Sequence, residues 1–306
     1  MRASFAEDPP AAPAAIAESK DCSKTSVGFT PLSDLKGGEY KGYKGGLYPG
    51  GKNRPPKKYR SIGKKKAKQV RPRDDDGRPA PNGEIVLLSI GMSNTKGEFA
   101  VFEEIAGADK SVDDSVNIVN GARGGHDAEM IRDPNAGYWT RVEKKVRGRA
   151  GSLEKVQVVW LKQAIALPQE TFPDDAKRLQ GALNDMVDIL RDRFKNLRLV
   201  YVSSRIYAGY ATRRLNPEPY AYQGAFAVKW LIRDQIKKAP RNRPWVAWGP
   251  YLWADGMVER SDGLIWECDD LANDGTHPSD SGKKKVADML LDFLKTAPTA
   301  KSWFVD

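Results

Sequence analysis

Residues 84–94 read EIVLLSIGMSN: an unbroken apolar run that stops at glycine and then serine. A run of this length between turn residues predicts a strand buried on both faces, since a strand with one solvated face would alternate with polar residues. Four further runs have the same character: DSVNIV (114–119), VQVVWL (156–161), LRLVYV (197–202) and WVAW (245–248). Helical spacing lies between them. Phe172, Ala176, Leu179, Leu183, Met186, Leu190 and Phe194 recur every three or four residues and give one apolar stripe. Residues 222–238 look similar, and a last helix begins at Ser279 as N-cap and carries Val286, Met289, Leu290 and Phe293 inward. Strands alternating with helices predict an α/β fold, a three-layer αβα arrangement on a mostly parallel five-stranded sheet. Residues 84–306 then form one domain.

The chain ahead of residue 84 is different. Residues 1–20 are rich in Ala, Pro and acid, and residues 27–51 are glycine-rich with Tyr and Leu interspersed. Residues 1–83 therefore read as an extended or disordered arm. The 306 residues carry 50 Lys+Arg against 40 Asp+Glu, a net charge of +10. Residues 52–73, KNRPPKKYRSIGKKKAKQVRPR, hold eleven of those bases and no acid, so the remainder has 39 against 40, or −1. The basicity belongs to one segment, either a solvated mobile linker or a contact to an anionic surface or polymer. Specific nucleic-acid binding by the globular part is not expected, because a binding face needs clustered bases.

No stretch approaches the roughly 20 apolar residues of a membrane-spanning helix, and the first residues lack the apolar core of an intact signal peptide. Cys22 and Cys268 form no CxxC, and either pair, pinning the arm to the core, or stay as buried thiols. No His/Asp/Glu grouping has metal-ligand spacing and no phosphate loop is present, so no cofactor or metal is expected.

In open α/β sheets, chemistry sits beyond the carboxyl ends of the strands. The first strand is followed by Gly91-Met92-Ser93-Asn94 and the second by NGARGGHD (120–127). The third runs into Gln163, and DGTHP (274–278) lies late in the chain. A serine, a glycine turn, an amide and an Asp-x-x-His supply what acyl transfer needs. Ser93 is a nucleophile once His277 takes its proton, and Asp274 fixes the tautomer and orientation of that imidazole. The N–H groups of Ser93 and Gly125, with the Gln163 amide, supply donors for an oxyanion.

With these four blocks in this order, residues 84–296 resemble the SGNH (GDSL-like) hydrolases, and the GxSN form resembles the carbohydrate-esterase and sialate O-acetylesterase-like branch. The resemblance implies a flavodoxin-like three-layer fold and a secreted or periplasmic serine esterase acting on short acyl, chiefly acetyl, esters of carbohydrates; a cytoplasmic location is the alternative. The third block departs from the family, with Gln163 where its asparagine stands. Asn94, Arg123, His126, Ser204, Tyr207 and Trp253 are expected near the substrate. Arg123 either meets a substrate carboxylate or pairs with Asp127, and His126 lines the site or only makes a turn. Trp245, Trp248, Tyr251, Trp253 and Trp266 form either a sugar platform or core. Two other readings stand beside this one: a lipase-like or polyester-acting esterase with an aromatic-lined cleft, and a catalytically inactive protein that adheres to polyanions.

Overall fold

The computed structural model describes residues 19–238 and 243–306. Most of the Ala/Pro-rich lead-in (residues 1–18) therefore lies outside the described residues. The arm contains α1 (Leu32–Leu35), a hairpin of β1 (Glu39–Tyr40) and β2 (Tyr43–Lys44), and α2 (Lys57–Ala67). Then come β3 (Ile85–Gly91), α3 (Ser93–Ala108), β4 (Val116–Asn120), α4 (Ala128–Ile131), α5 (Gly137–Ala150) and β5 (Val156–Lys162). The chain continues through α6 (Asp174–Arg193), β6 (Leu199–Ser203), α7 (Tyr220–Lys238), β7 (Trp245–Trp248), α8 (Asp280–Thr296) and α9 (Lys301–Phe304).

The five apolar runs form one sheet in the order β4-β3-β5-β6-β7, every pair parallel. Right-handed crossovers set the layers. The chain steps one way from β3 to β4 and the other way from β4 to β5, β6 and β7, so α3 lies on one face and α5, α6 and α7 on the other. Helix α8 joins α3, and α6 packs on α7. The reversal of direction at β3 opens a crevice beyond its carboxyl end, where residue 93 sits.

The arm is not loose over its described length, and the basic segment is not a linker. Helix α2 carries Tyr59, Gly63 and Ala67 four residues apart, and this narrow stripe is buried. Tyr59 Oη donates to the Val246 carbonyl at 2.8 Å, and Trp245 Nε1 donates to the Tyr59 carbonyl at 3.0 Å. A Cβ at Gly63 would stand 2.5 Å from the Trp245 ring, so only glycine lets the helix sit this close. Cys22 and Cys268 are joined in a disulfide. Aromatic side chains hold the rest of the arm: Tyr207 Oη donates to Lys24 O (2.7 Å), Tyr222 Oη to Thr30 O (2.9 Å) and Trp248 Nε1 to Leu47 O (2.8 Å).

Candidate active site

Ser93 is the first residue of α3, directly past β3. Gly91 makes that turn possible, because a Cβ there would lie 2.3 Å from Thr95 Oγ1 and 2.4 Å from the Lys162 carbonyl. As the leading residue of a helix, Ser93 has an N–H outside the intrahelical ladder, at the positive end of the helix dipole. The Gly91 carbonyl accepts from Arg123 N at 2.9 Å, which draws the glycine turn after β4 against the nucleophile turn. Ser89 Oγ donates to Asn120 Oδ1 (3.0 Å), and Asn120 Nδ2 donates to the Lys96 carbonyl (2.9 Å), so β3, β4 and α3 are stitched together just below.

Ser93 Oγ lies 2.7 Å from His277 Nε2, and His277 Nδ1 lies 2.5 Å from Asp274 Oδ2. The carboxylate acceptor makes Nδ1 the protonated nitrogen and leaves the Nε2 lone pair for the serine proton. Asp274 Oδ1 also accepts from the backbone N–H of Thr276 (3.0 Å) and His277 (2.9 Å). Burial pushes the Asp274 carboxyl up, but the hydrogen bonds from His277 and Thr276 outweigh it and hold it below the ordinary carboxylate value. The loop turns at Gly275, with φ +63°, where a Cβ would stand 2.4 Å from the Tyr210 carbonyl. Ser279 then caps α8, accepting from Gly282 N.

Gly124 lies against the nucleophile, and Gly125 follows it in the turn. A Cβ at Gly124 would lie 3.6 Å from Ser93 Cβ, and Gly125 has φ +72°. Gln163 Nε2 donates to the His126 carbonyl at 2.7 Å, while its Oε1 accepts from Ala164 N at 3.0 Å. One amide proton is thus committed to fastening the glycine turn to the end of β5, and the second has no acceptor among the described residues.

Several residues at the site carry no signal in a motif. Lys162 and Glu98 form an ion pair that is essentially wholly buried, at 1% and 0% side-chain exposure. Burial pulls the Lys162 ammonium down from its ordinary value, and Glu98 opposes the fall. Arg205 is also buried, and its Nη2 donates to the Thr276 carbonyl at 3.0 Å. A lysine at the end of an apolar strand run was the readable hint, because a buried ammonium needs a carboxylate partner.

Four residues expected near the substrate are core instead. Tyr207 and Trp253 have 0% exposure, and Asn94 and Ser204 have 2%. Trp253 Nε1 donates to Glu218 Oε1 at 2.7 Å, and Tyr207 holds the arm, so neither ring is free for a sugar. The other aromatics of the supposed platform, Trp245, Trp248, Tyr251 and Trp266, are buried as well. The arm touches three of them, through Tyr59 on Trp245, Leu47 on Trp248 and Leu32 on Tyr251, and Lys285 of α8 lies over the Trp266 ring. Arg123 does not pair with Asp127, which caps α4 and accepts from Met130 N (3.1 Å) and Ala166 N (2.8 Å). The Arg123 side chain is exposed and has no carboxylate partner among the described residues. His126 is half-buried, with Nδ1 2.9 Å from the Gly124 carbonyl, so its Nε2 is left as an acceptor. No group of three His, Cys, Asp or Glu among the described residues is placed to hold a metal ion. No helix among them is long and apolar enough to cross a membrane.

No protein-family model and no curated protein matches the chain. Among solved structures the chain has several low-identity matches. A catalytic mutant of an acetylxylan esterase from Geobacillus stearothermophilus is 15% identical over 68% of this chain and 93% of its own, with a TM-score of 0.42. A GDSL-like lipase from Bacteroides thetaiotaomicron is 12% identical over 76% and 95%, with a TM-score of 0.38. A protein from Bacillus subtilis is 14% identical over 70% of this chain, which spans 57% of that one, with a TM-score of 0.39.

Proposed function

We propose that this chain is a serine esterase of the SGNH (GDSL-like) type that removes acetyl or other short acyl groups from carbohydrate esters. The observation that carries the reading is the hydrogen-bonded chain from Ser93 Oγ through His277 to Asp274 at the carboxyl end of the sheet. Ser93 Oγ attacks the ester carbonyl carbon while His277 Nε2 takes its proton. The negative charge that develops on the carbonyl oxygen is met by the N–H groups of Ser93 and Gly125 and the free amide proton of Gln163. His277 returns its proton to the departing alcohol oxygen, and an acyl-Ser93 ester remains. Water attacks that ester with His277 again as base, and collapse of the second intermediate frees the acid and restores Ser93.

Residues 84–306 make up the hydrolase unit in this reading. Arg123 and His126 are the residues left to meet the substrate, an exposed cation and an imidazole acceptor beside the nucleophile. That pair suits a polar, hydroxyl-bearing or anionic alcohol. The lipase-like alternative finds less support, because the aromatic set it needs is buried. The disulfide suits an oxidising compartment outside the cytoplasm.

The test is stoichiometric labelling by a serine-directed organophosphonate, followed by a panel of p-nitrophenyl esters and acetylated sugars. Ser93→Ala should abolish labelling and lower kcat by about 10⁶ with the fold retained. Absence of labelling in the wild-type protein would favour the inactive reading.

A further inference from the structure

The charge of the basic segment takes a different meaning once α2 is folded. With Tyr59, Gly63 and Ala67 turned inward, Lys57, Lys58, Lys64, Lys65 and Lys68 are all exposed. Among the described residues none of these five has a carboxylate partner. Folding also brings in bases from far along the chain. Lys195 and Arg198 follow α6, and Arg243 precedes β7. Two adjoining grooves, of about 550 and 460 Å³, run between α2 and these residues and share Lys66, Gln69, Arg243 and Pro244.

The bases crowd one another. Burial lowers the Arg198 guanidinium from its ordinary value, and the charge of Arg71 lowers it further. Lys66 is lowered by burial and by Arg198. Arg73 is lowered by burial, Arg198 and Arg71, with Glu154 and Asp74 opposing. Asp192 lines the second groove and Asp188 stands beside it on Arg243, and both are occupied: Asp188 pairs with Arg191 and Arg243, and Asp192 with Arg191. Among the described residues the Arg198 guanidinium donates only to the carbonyls of Lys195 and Leu197 and to the Asn196 side chain. Its Nε is buried without an acceptor. Gathering like charges this way destabilises the fold unless an anion completes them.

We infer that this face binds an acidic polysaccharide. A bilayer surface would call for apolar side chains projecting among the lysines, but the exposed large hydrophobics among the described residues are Met130, Leu167, Met257 and Val258, none of which lines either groove. Single-stranded nucleic acid would call for open aromatic rings on which bases stack, but the groove aromatics Tyr59, Trp245 and Phe194 are buried at 6%, 5% and 1% exposure. A flexible chain bearing carboxylates or sulfates needs neither feature and is met by cations alone. Arg198 and Arg243 stand at the amino ends of β6 and β7, opposite the carboxyl end of β3 where Ser93 lies. A polymer held here leaves the candidate active site open.

The test measures binding of the full chain to polygalacturonate, in the wild-type and Ser93→Ala proteins alike, so that failure of the esterase reading leaves it intact. Binding is expected, weakening steeply between about 50 and about 200 mM salt as counterion release requires. The triple variant Lys58→Gln, Lys65→Gln, Lys195→Gln should bind at least about tenfold more weakly. Lys110→Gln, Lys144→Gln, Lys145→Gln removes the same charge elsewhere and should stay close to wild type. Single Lys65→Gln and Lys195→Gln proteins, each expected to lose affinity, serve if the triple does not fold. Turnover of p-nitrophenyl acetate should be unchanged in every lysine variant that keeps Ser93. No binding to polygalacturonate, equal loss in both triples, or tighter binding to phosphatidylglycerol vesicles or to a single-stranded DNA oligomer would each overturn the proposal.

Discussion

Asn94 Nδ2 donates to the Thr276 carbonyl at 3.0 Å, so the residue after the candidate nucleophile holds the residue before the candidate base. Arg205 Nη2 reaches the same carbonyl from the end of β6, also at 3.0 Å. The two donors fix the peptide from which the His277 ring projects. Because α3 starts at Ser93, one helix sets the nucleophile and, through Asn94, the loop that must face it. The buried Lys162–Glu98 pair lies one turn further along α3, and Thr95 Oγ1 donates to the Lys162 carbonyl at 2.8 Å. The first turns of α3 are therefore polar inside because they organise the site.

Asn94→Ala should lower kcat by about 10- to 100-fold with little change in KM, since a displacement of about 1 Å at the base costs on that order. Arg205 still holds Thr276, and one lost hydrogen bond costs about 1 kcal/mol, so the melting temperature should move only modestly. Steady-state kinetics and a melting curve on the same preparation check this. A normal kcat in the folded variant would make the contact merely structural.

Gln163→Ala should be affected twice. Loss of an oxyanion donor lowers kcat by about 10²–10³ with KM little changed. Loss of the bond to the His126 carbonyl loosens the glycine turn and costs roughly 1 kcal/mol of stability. Gln163→Glu should be worse on both counts. Its carboxylate would repel the developing oxyanion and could not donate to the His126 oxygen it faces. A Gln163→Ala protein with lowered stability and unchanged kcat would remove Gln163 from the oxyanion hole and leave it as the clamp on residues 124–126.

The five strands were legible because a parallel strand covered on both faces reads as a largely apolar run, and the observed bounds differ by at most two residues at either end. Helix α8 was legible from its N-cap, Ser279. Helix α3 was not, because its inward face includes Asn94, Thr95 and Glu98 among the apolar residues, which breaks the stripe on which periodicity depends. Helix α2 was hidden for the opposite reason: three small or aromatic contacts in eleven residues are swamped by lysine. Ser93, His277 and Asp274 could be placed because Asp-x-x-His is local and the serine follows a strand. The substrate residues could not. Whether Tyr207, Trp253 or Trp248 faces solvent depends on where the arm lies, and the arm is fastened by those same aromatics and by a disulfide spanning 246 residues.

That disulfide gives a further prediction. Lys20 N donates to the Asn273 carbonyl (2.7 Å) and Asp21 N to the Tyr210 carbonyl (2.9 Å), so the stretch before Cys22 buttresses the loop that carries Asp274. Replacing Cys22 and Cys268 together by serine should lower the unfolding free energy by as much as about 5 kcal/mol on the chain-entropy account of so long a loop. The same fall should appear on adding reductant to the wild-type protein, and reductant should then leave the double variant unaffected. Denaturant titrations of both proteins, with and without reductant, check it. Equal stability of the two would mean the hydrogen bonds alone secure the arm.

Glu218 gives the pH dependence. Its carboxylate accepts from Trp253 Nε1 (2.7 Å) and from the N–H groups of Ala208 (3.0 Å) and Tyr222 (3.0 Å). Burial is the larger influence and pushes the group up from 4.5 to about 6, against these bonds and the Arg205 charge. Below about pH 4.5 the carboxyl is protonated in both folded and unfolded chains and costs nothing. As pH rises from there to about 6, the unfolded chain ionises first, so this group takes stability away. Above about pH 6 both states are ionised and the loss is constant, at up to about 2 kcal/mol. Glu218→Gln cannot ionise. The difference in unfolding free energy between wild type and variant should therefore shift in favour of the variant across pH 4.5–6 and stay level above it. The slope decides, because the glutamine amide faces the Tyr222 N–H and alters absolute stability at every pH alike. Parallel pH profiles for the two proteins would show that the bonds from Trp253, Ala208 and Tyr222 fully offset the burial of the charge.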